Sequence, residues 1–326
     1  MADVFSVLAG LLLATNQTLA ASNLVAQQTG VRVPVVATND ATELEYLRLL
    51  ALDNSTQAEI DRMVTEEQKL VSQGAGNDAA TMRGKVRQRL DPVEKAYKEF
   101  LGRNPNHTRA RLAFGSFLSD IGREDDAKVE WEKAGELDPK NPAVWNNLAN
   151  YYGHNSPVTN AFACYEKAIT LSPAESVYYQ NFATTVYLFR QEATNYFRIT
   201  EQEVFDKAMG LYRKALSLDA ENFPLATDLA QTYYGIKPPR MKDALEAWSG
   251  ALKIAGDDIE REGVRLHLAR WHKTAGDIAT ARRELALVTN QMYAATRSNL
   301  LRTLDKAEGI TNAAVPGLKT ILPTAQ

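Results

Sequence analysis

The sequence predicts an all-α protein built as an α-solenoid of stacked helix-turn-helix repeats. Three observations carry that prediction. Residue types recur at a spacing of 34 within the stretch from about residue 106 to 289. Small residues fall at fixed offsets from bulky ones in each copy. The 326 residues are 45% hydrophobic and 24% charged, a balance that can fill a core. A fixed period of a few tens of residues marks a repeat array: one unit cannot bury its own apolar face, and stacked neighbours can.

The register is read residue by residue. Trp145, Leu148, Ala149 and Tyr152 lie 34 residues after Arg111, Phe114, Gly115 and Leu118. Ala161, Tyr165, Ala168 and Pro173 lie 34 after Ala127, Trp131, Ala134 and Pro139. The small residue of the first helix recurs as Gly115, Ala149, Ala183, Ala230 and Ala269. The alanine opening the second helix recurs as Ala127, Ala161, Ala208, Ala244 and Ala281, with Trp131, Tyr165, Tyr212, Trp248 and Leu285 four residues later. Two antiparallel helices approach closely only where a side chain is small, and bulky knobs fill the space beside the crossing. Trp145 is expected to be another large buried knob.

The pattern W-x2-L-G-x2-Y, then A-x3-F, then A and P, resembles the tetratricopeptide repeat (TPR) family over more than half of the chain. The resemblance implies a right-handed TPR α-solenoid with five units at 106–289. The third unit departs from the pattern: 25 residues separate Ala183 from Ala208, against 12 between Ala149 and Ala161. It therefore carries a 13-residue insertion near 190–199, after which Thr200 and Glu203 form a capping box for the second helix. Two extra residues fall around Lys237-Pro238-Pro239 in the fourth unit.

The flanks are read in order. Residues 1–21 hold an apolar stretch from Val4 to about Thr15, too short to span a bilayer and of signal-peptide length. Asp3, and the lack of Lys or Arg before Arg32, argue the other way, and the alternative is an apolar helix packed on the array. Residues 22–39, with Gly30 and Pro34, read as a linker. Residues 40–105 form N-terminal helices: TELEYLRLLALDN and STQAEIDRMVTEEQKLVSQ as two amphipathic helices, a break at Gly74 and Gly76, and a further helix opening at Asp91-Pro92. Val93, Tyr97, Phe100 and Pro105 fit the second half of a degenerate repeat. Asn290 caps a terminal helix over 290–309 with Leu300, Leu301 and Leu304 on one side, and 310–326 is a loose tail.

Net charge is −3, without the basic excess that phosphate binding needs, so nucleic acid is not expected as a partner. Residues 1–73 hold nine acids against four bases, the pattern of a solvated helix face. The single cysteine, Cys164, rules out an intramolecular disulfide and reads as a small packed hydrophobe. No nucleotide loop, nucleophile elbow or H-E-x-x-H is present, and His267 and His272, five apart, diverge on a helix. The expectation is no catalytic residue, no cofactor and no metal.

In the TPR resemblance the first helix of each repeat lines a concave groove. Asn147 and Asn181 occupy its position before the Leu and small residue, with Ala113, Asp228 and His267 matching them elsewhere, and Asn150 follows one turn after Asn147. An amide both donates and accepts, so a line of amides can pair with an extended backbone without reading its sequence. Asn147 and Asn181 resemble the asparagine ladder in the TPR region of O-linked N-acetylglucosaminyltransferases, whose catalytic domain has no counterpart here. Leu112 and Ser116 replace the Lys and Asn of the carboxylate clamp found in chaperone-binding TPR proteins. Tyr196 and Phe197, in the insertion, are a second candidate surface.

The reading is a non-catalytic scaffold or adaptor that binds a peptide or helix segment of a protein partner, in assembly of an envelope complex. No membrane span is expected. The compartment is the periplasm or cell envelope through a cleaved signal peptide; the alternative is the cytoplasm. Alternative functions are a self-associating structural protein and a non-catalytic subunit of an enzyme complex.

Overall fold

The computed structural model describes residues 40–155 and 157–309. Residues 1–21, 22–39 and 310–326, read as signal peptide, linker and loose tail, lie outside them. Among the described residues there are fourteen α-helices, two 3-10 turns and no strand. The chain divides into two compact units, meeting between Val204 and Phe205.

The first unit opens with α1 (Ala41–Ser72), capped by Asp40, whose carboxylate accepts from Thr42 N. The sequence suggested two helices here. The structure has one of 32 residues, because Asn54-Ser55-Thr56 contains no Gly or Pro and Ser55 Oγ turns back to donate to Leu52 O. Helix α2 (Ala79–Arg103) also begins earlier than Asp91-Pro92 suggested. Asp78 caps it by accepting from Ala80 N and Thr81 N, and Pro92 lies inside. Proline leaves the carbonyl four residues back without a partner, and that residue, Gln88, is solvent-exposed, so water can supply one.

Then follow α3 (Thr108–Asp120), α4 (Glu124–Leu137), α5 (Pro142–His154) and α6 (Thr159–Leu171), packed as α3 on α4 and α5 on α6. Gly122 turns α3 into α4 at φ +79°, a left-handed conformation suited to glycine. Asn141 caps α5 by accepting from Ala143 N, with Pro142 in the first turn. The small positions explain themselves. A Cβ on Gly115 would lie within 3 Å of the Trp131 indole, which is buried and donates to Leu112 O at 3.2 Å. Ala127, Ala134, Ala149, Ala161 and Ala168 are fully buried at the matching crossings.

Trp145 does not match its expectation. It lies in the first turn of α5, half-exposed, with Nε1 donating to Pro139 O at 2.9 Å and the Lys167 ammonium 3.3 Å from its ring centre.

Helix α7 (Ser176–Leu188) is followed by α8 (Arg190–Phe197), which is the insertion folded as a short helix against α6 and α7. Arg198, at φ 56°, ends it. Thr200 then caps α9 (Glu201–Leu218): Glu203 N donates to Thr200 Oγ1, and Thr200 N donates back to Glu203 Oε2.

The second unit holds α9 from Phe205 onward, α10 (Phe223–Thr232), α11 (Met241–Ile254), α12 (Asp258–Thr274), α13 (Ile278–Ala286) and α14 (Ala294–Ala307). Ala230, Ala244, Ala251, Ala269 and Ala281 are buried between them. Leu304 of α14 packs with Leu285 and Val288, flanked by Leu300 and Leu301. Asn290 caps the 3-10 turn Gln291–Tyr293 that precedes α14, accepting from Met292 N. The link is pinned by buried Glu262, which accepts from Asn290 N at 2.7 Å and Thr289 N at 2.9 Å; those bonds hold its carboxyl below the usual range.

Candidate functional site

Helices α3, α5 and α7 lie side by side in sequence order. Four polar side chains join across them. Asn147 Nδ2 donates to Ser116 Oγ at 3.4 Å, Asn146 Nδ2 to Asn147 Oδ1 at 3.4 Å, and Asn181 Nδ2 to Asn146 Oδ1 at 3.1 Å. Asn146 and Asn147 are only 4% and 7% exposed; Ser116 and Asn181 are half-buried. A buried amide is costly without partners, so each member holds the next in orientation.

The structure thus joins Asn147 and Asn181 through Asn146, which sequence reasoning missed. The signal was present in the consecutive pair Asn146-Asn147: two amides on adjacent positions can reach two neighbouring helices. Asn150 is not part of the row. Its Oδ1 accepts from the Tyr165 hydroxyl on α6 at 2.6 Å, so it serves the α5–α6 interface. Burial pushes the Tyr165 hydroxyl pKa up, keeping it a neutral donor.

Asp228 and His267 belong to the second unit. Asp228 is half-buried on α10, where its carbonyl accepts from Thr232 Oγ1. His267 is flat against Trp248, with centroids 4.0 Å apart and planes 4° from parallel, and its Nδ1 lies 2.9 Å from the Tyr234 hydroxyl. Burial, helped by the Arg270 charge, lowers its pKa to about 4. His272 instead faces Asp277 at 3.6 Å.

The insertion aromatics pack on their own unit. The Tyr196 and Phe197 rings lie 5.3 and 5.4 Å from Phe162, and Phe197 lies 6.3 Å from Phe182. Tyr196 keeps 37% of its surface exposed. Cys164 is half-buried, and burial pushes its thiol up to about 11, unfavourable for a thiolate at neutral pH. Among the described residues no group of three or more His, Cys, Asp or Glu could hold a metal ion, and no helix is long and apolar enough to cross a membrane.

The tetratricopeptide repeat family model matches residues 142–175, the segment from α5 through α6 that includes Asn146 and Asn147. No curated protein matches the chain by sequence. Among solved structures, the C-terminal part of a TPR repeat-containing protein from Cytophaga hutchinsonii is similar at 12% identity; the match covers 78% of this chain and 99% of that one, with a TM-score of 0.50. The Pseudomonas aeruginosa pilF structure is similar at 16% identity, with 78% and 99% coverage and a TM-score of 0.49. MamA is similar at 21% identity, with 55% and 95% coverage and a TM-score of 0.42. The first of these is a likeness of fold alone. The fold class is the all-α helical repeat of TPR proteins, and residues 142–175 are one such repeat.

Proposed function

We propose that the protein is a non-catalytic scaffold that holds an extended segment of another protein along the first-helix layer α3–α5–α7. The observation that carries this is the hydrogen-bonded row Ser116–Asn147–Asn146–Asn181. Peptide groups repeat along an extended chain, and amide side chains offer both donor and acceptor to them. Because the row is already ordered by its own bonds, a bound segment orders little further protein. The half-buried Asn181 is the accessible end of that row. We place the protein in the periplasm or cell envelope on the apolar stretch Val4–Thr15, and in assembly of a complex there.

Site-specific photo-crosslinking in the native host tests this. A photoreactive residue replaces Thr184, one turn after Asn181 on α7 and half-buried, with Glu136, exposed on α4, as control. A cross-link from position 184 to a defined segment of another protein, lost with Asn181→Ala in a protein of unchanged helicity, supports the groove. Equal cross-linking from position 136, or none from 184, sinks it.

A further inference from the structure

The first unit carries a helical hairpin without a core of its own. From Gln57 to Pro92, the C-terminal half of α1 and the N-terminal half of α2, no residue is buried. The seam is a thin line of half-buried Ile60 and Met63 on α1 and Met82, Val86 and Leu90 on α2. Beside it an open cleft of about 660 Å³ is lined by Val64, Val71, Met82, Val86, Leu90 and Ile121. Val71 is 58% exposed, and Val64 and Leu70 are exposed as well. Exposed large aliphatic side chains rimmed by charge mark an interaction surface.

The charges indicate the occupant. Residues 57–72 carry Glu59, Asp61, Glu66 and Glu67 against Arg62 and Lys69; residues 79–92 carry Arg83, Lys85, Arg87 and Arg89 against Asp91. One helix is acidic and its neighbour basic. Within the hairpin this opposition is used sparingly: Arg89–Glu59, at 2.7 Å, is the ion pair that crosses it, while Arg83, Lys85, Asp61 and Glu66 stand exposed. A surface with an acidic strip beside a basic one is complementary to itself after a two-fold rotation, which sets each acidic helix against the basic helix of the other copy. The product is a four-helix bundle with Val64 and Val71, one heptad apart on the cleft side of α1, inside.

We propose that this hairpin is a homodimerisation surface, its occupant the same hairpin of a second copy. It is separate from the α3–α5–α7 row and stands or falls independently of it. Sedimentation equilibrium of the full chain tests it, with charge-swapped variants on each helix. The expected mass rises with concentration from 36.1 kDa toward twice that value. Asp61→Lys, seven residues before the cleft-lining Gln68, and Arg83→Glu/Arg87→Glu, an i,i+4 pair lining the cleft, should each weaken the dimer tenfold or more, because like then faces like. An equimolar mixture of the two variants should restore it, since each altered helix now meets its opposite. Mixing cannot repair ion pairs within one chain, so restoration separates dimerisation from damage to the hairpin. A wild type that stays monomeric, a dimer indifferent to the swaps, or a mixture that stays monomeric overturns the proposal.

Discussion

The side-chain amide of Asn181 on α7 donates to the side-chain oxygen of Asn146 on α5 at 3.1 Å, tying together residues 35 apart in sequence. Asn146 is buried and also donates to Asn147, so its removal strips partners from both neighbours. Asn146→Ala should therefore cost about 1–3 kcal/mol, the usual penalty for leaving buried polar groups unmatched. Urea denaturation of the variant against wild type measures it. An unchanged midpoint would mean that the row is not held by these bonds.

Asp53 and Tyr97 make a second link, between a half-buried carboxylate and a buried phenol. The Tyr97 hydroxyl donates to Asp53 Oδ2 at 2.7 Å. Burial raises the Asp53 pKa to about 6; the Tyr97 bond opposes this and the charge of Asp120 adds to it. The folded state then binds the proton more tightly than the unfolded state, whose carboxyl titrates near 4. Stability from this group is present at acid pH and lost as pH rises through about 6. Asp53→Asn keeps an acceptor for Tyr97 and removes the half-buried charge, so it should stabilise by about 1–2 kcal/mol at pH 7.5. The advantage should shrink toward pH 4.5. Thermal melts at both pH values decide it, and a variant less stable at pH 7.5 contradicts it.

The sequence made some of this legible and not the rest, for physical reasons. Gly115 and Trp131 could be read as partners because contact between two antiparallel helices joined by a short turn is a local matter: the small residue and the indole are 16 positions apart. The Thr200–Glu203 capping box is more local still. Pro92 misled because proline is a cap signal wherever a carboxylate precedes it, while the competing start at Asp78 has no proline to advertise it. Asn150 misled because a spacing of three places it one turn from Asn147, yet Tyr165 on the next helix takes its carbonyl oxygen. Asn146 was hidden because its role needs α7 alongside α5, a relation between repeats and not within one.

The tryptophans separate by packing, whatever their place in the repeat pattern. Trp248 is 1% exposed and stacked on His267, whereas Trp145 is half-exposed at a helix end. Trp248→Ala should cost about 3–5 kcal/mol, the range for emptying a large core site. Trp145→Ala loses one hydrogen bond, the Lys167 contact and partial burial, about 1–2 kcal/mol. Equilibrium denaturation of the pair of variants checks the order, and a larger loss at Trp145 reverses it.

The stack of His267 on Trp248 makes the second unit sensitive to acid. The imidazole is neutral in the fold, with its pKa lowered to about 4 by burial and then by Arg270, against about 6.5 in the unfolded chain. The unfolded state therefore binds more protons between those values, and stability falls as pH drops from 6.5 toward 4. His267→Phe keeps a flat ring on Trp248 and cannot titrate. It forfeits the Tyr234 contact at every pH, a constant loss. The stability of the variant relative to wild type should accordingly improve as pH falls from 7.5 to 4.5. Calorimetric melts across that range measure the difference, which cancels the carboxylates common to both proteins. A constant gap would show that His267 titrates alike in both states, and that Trp248 does not shield it from the proton.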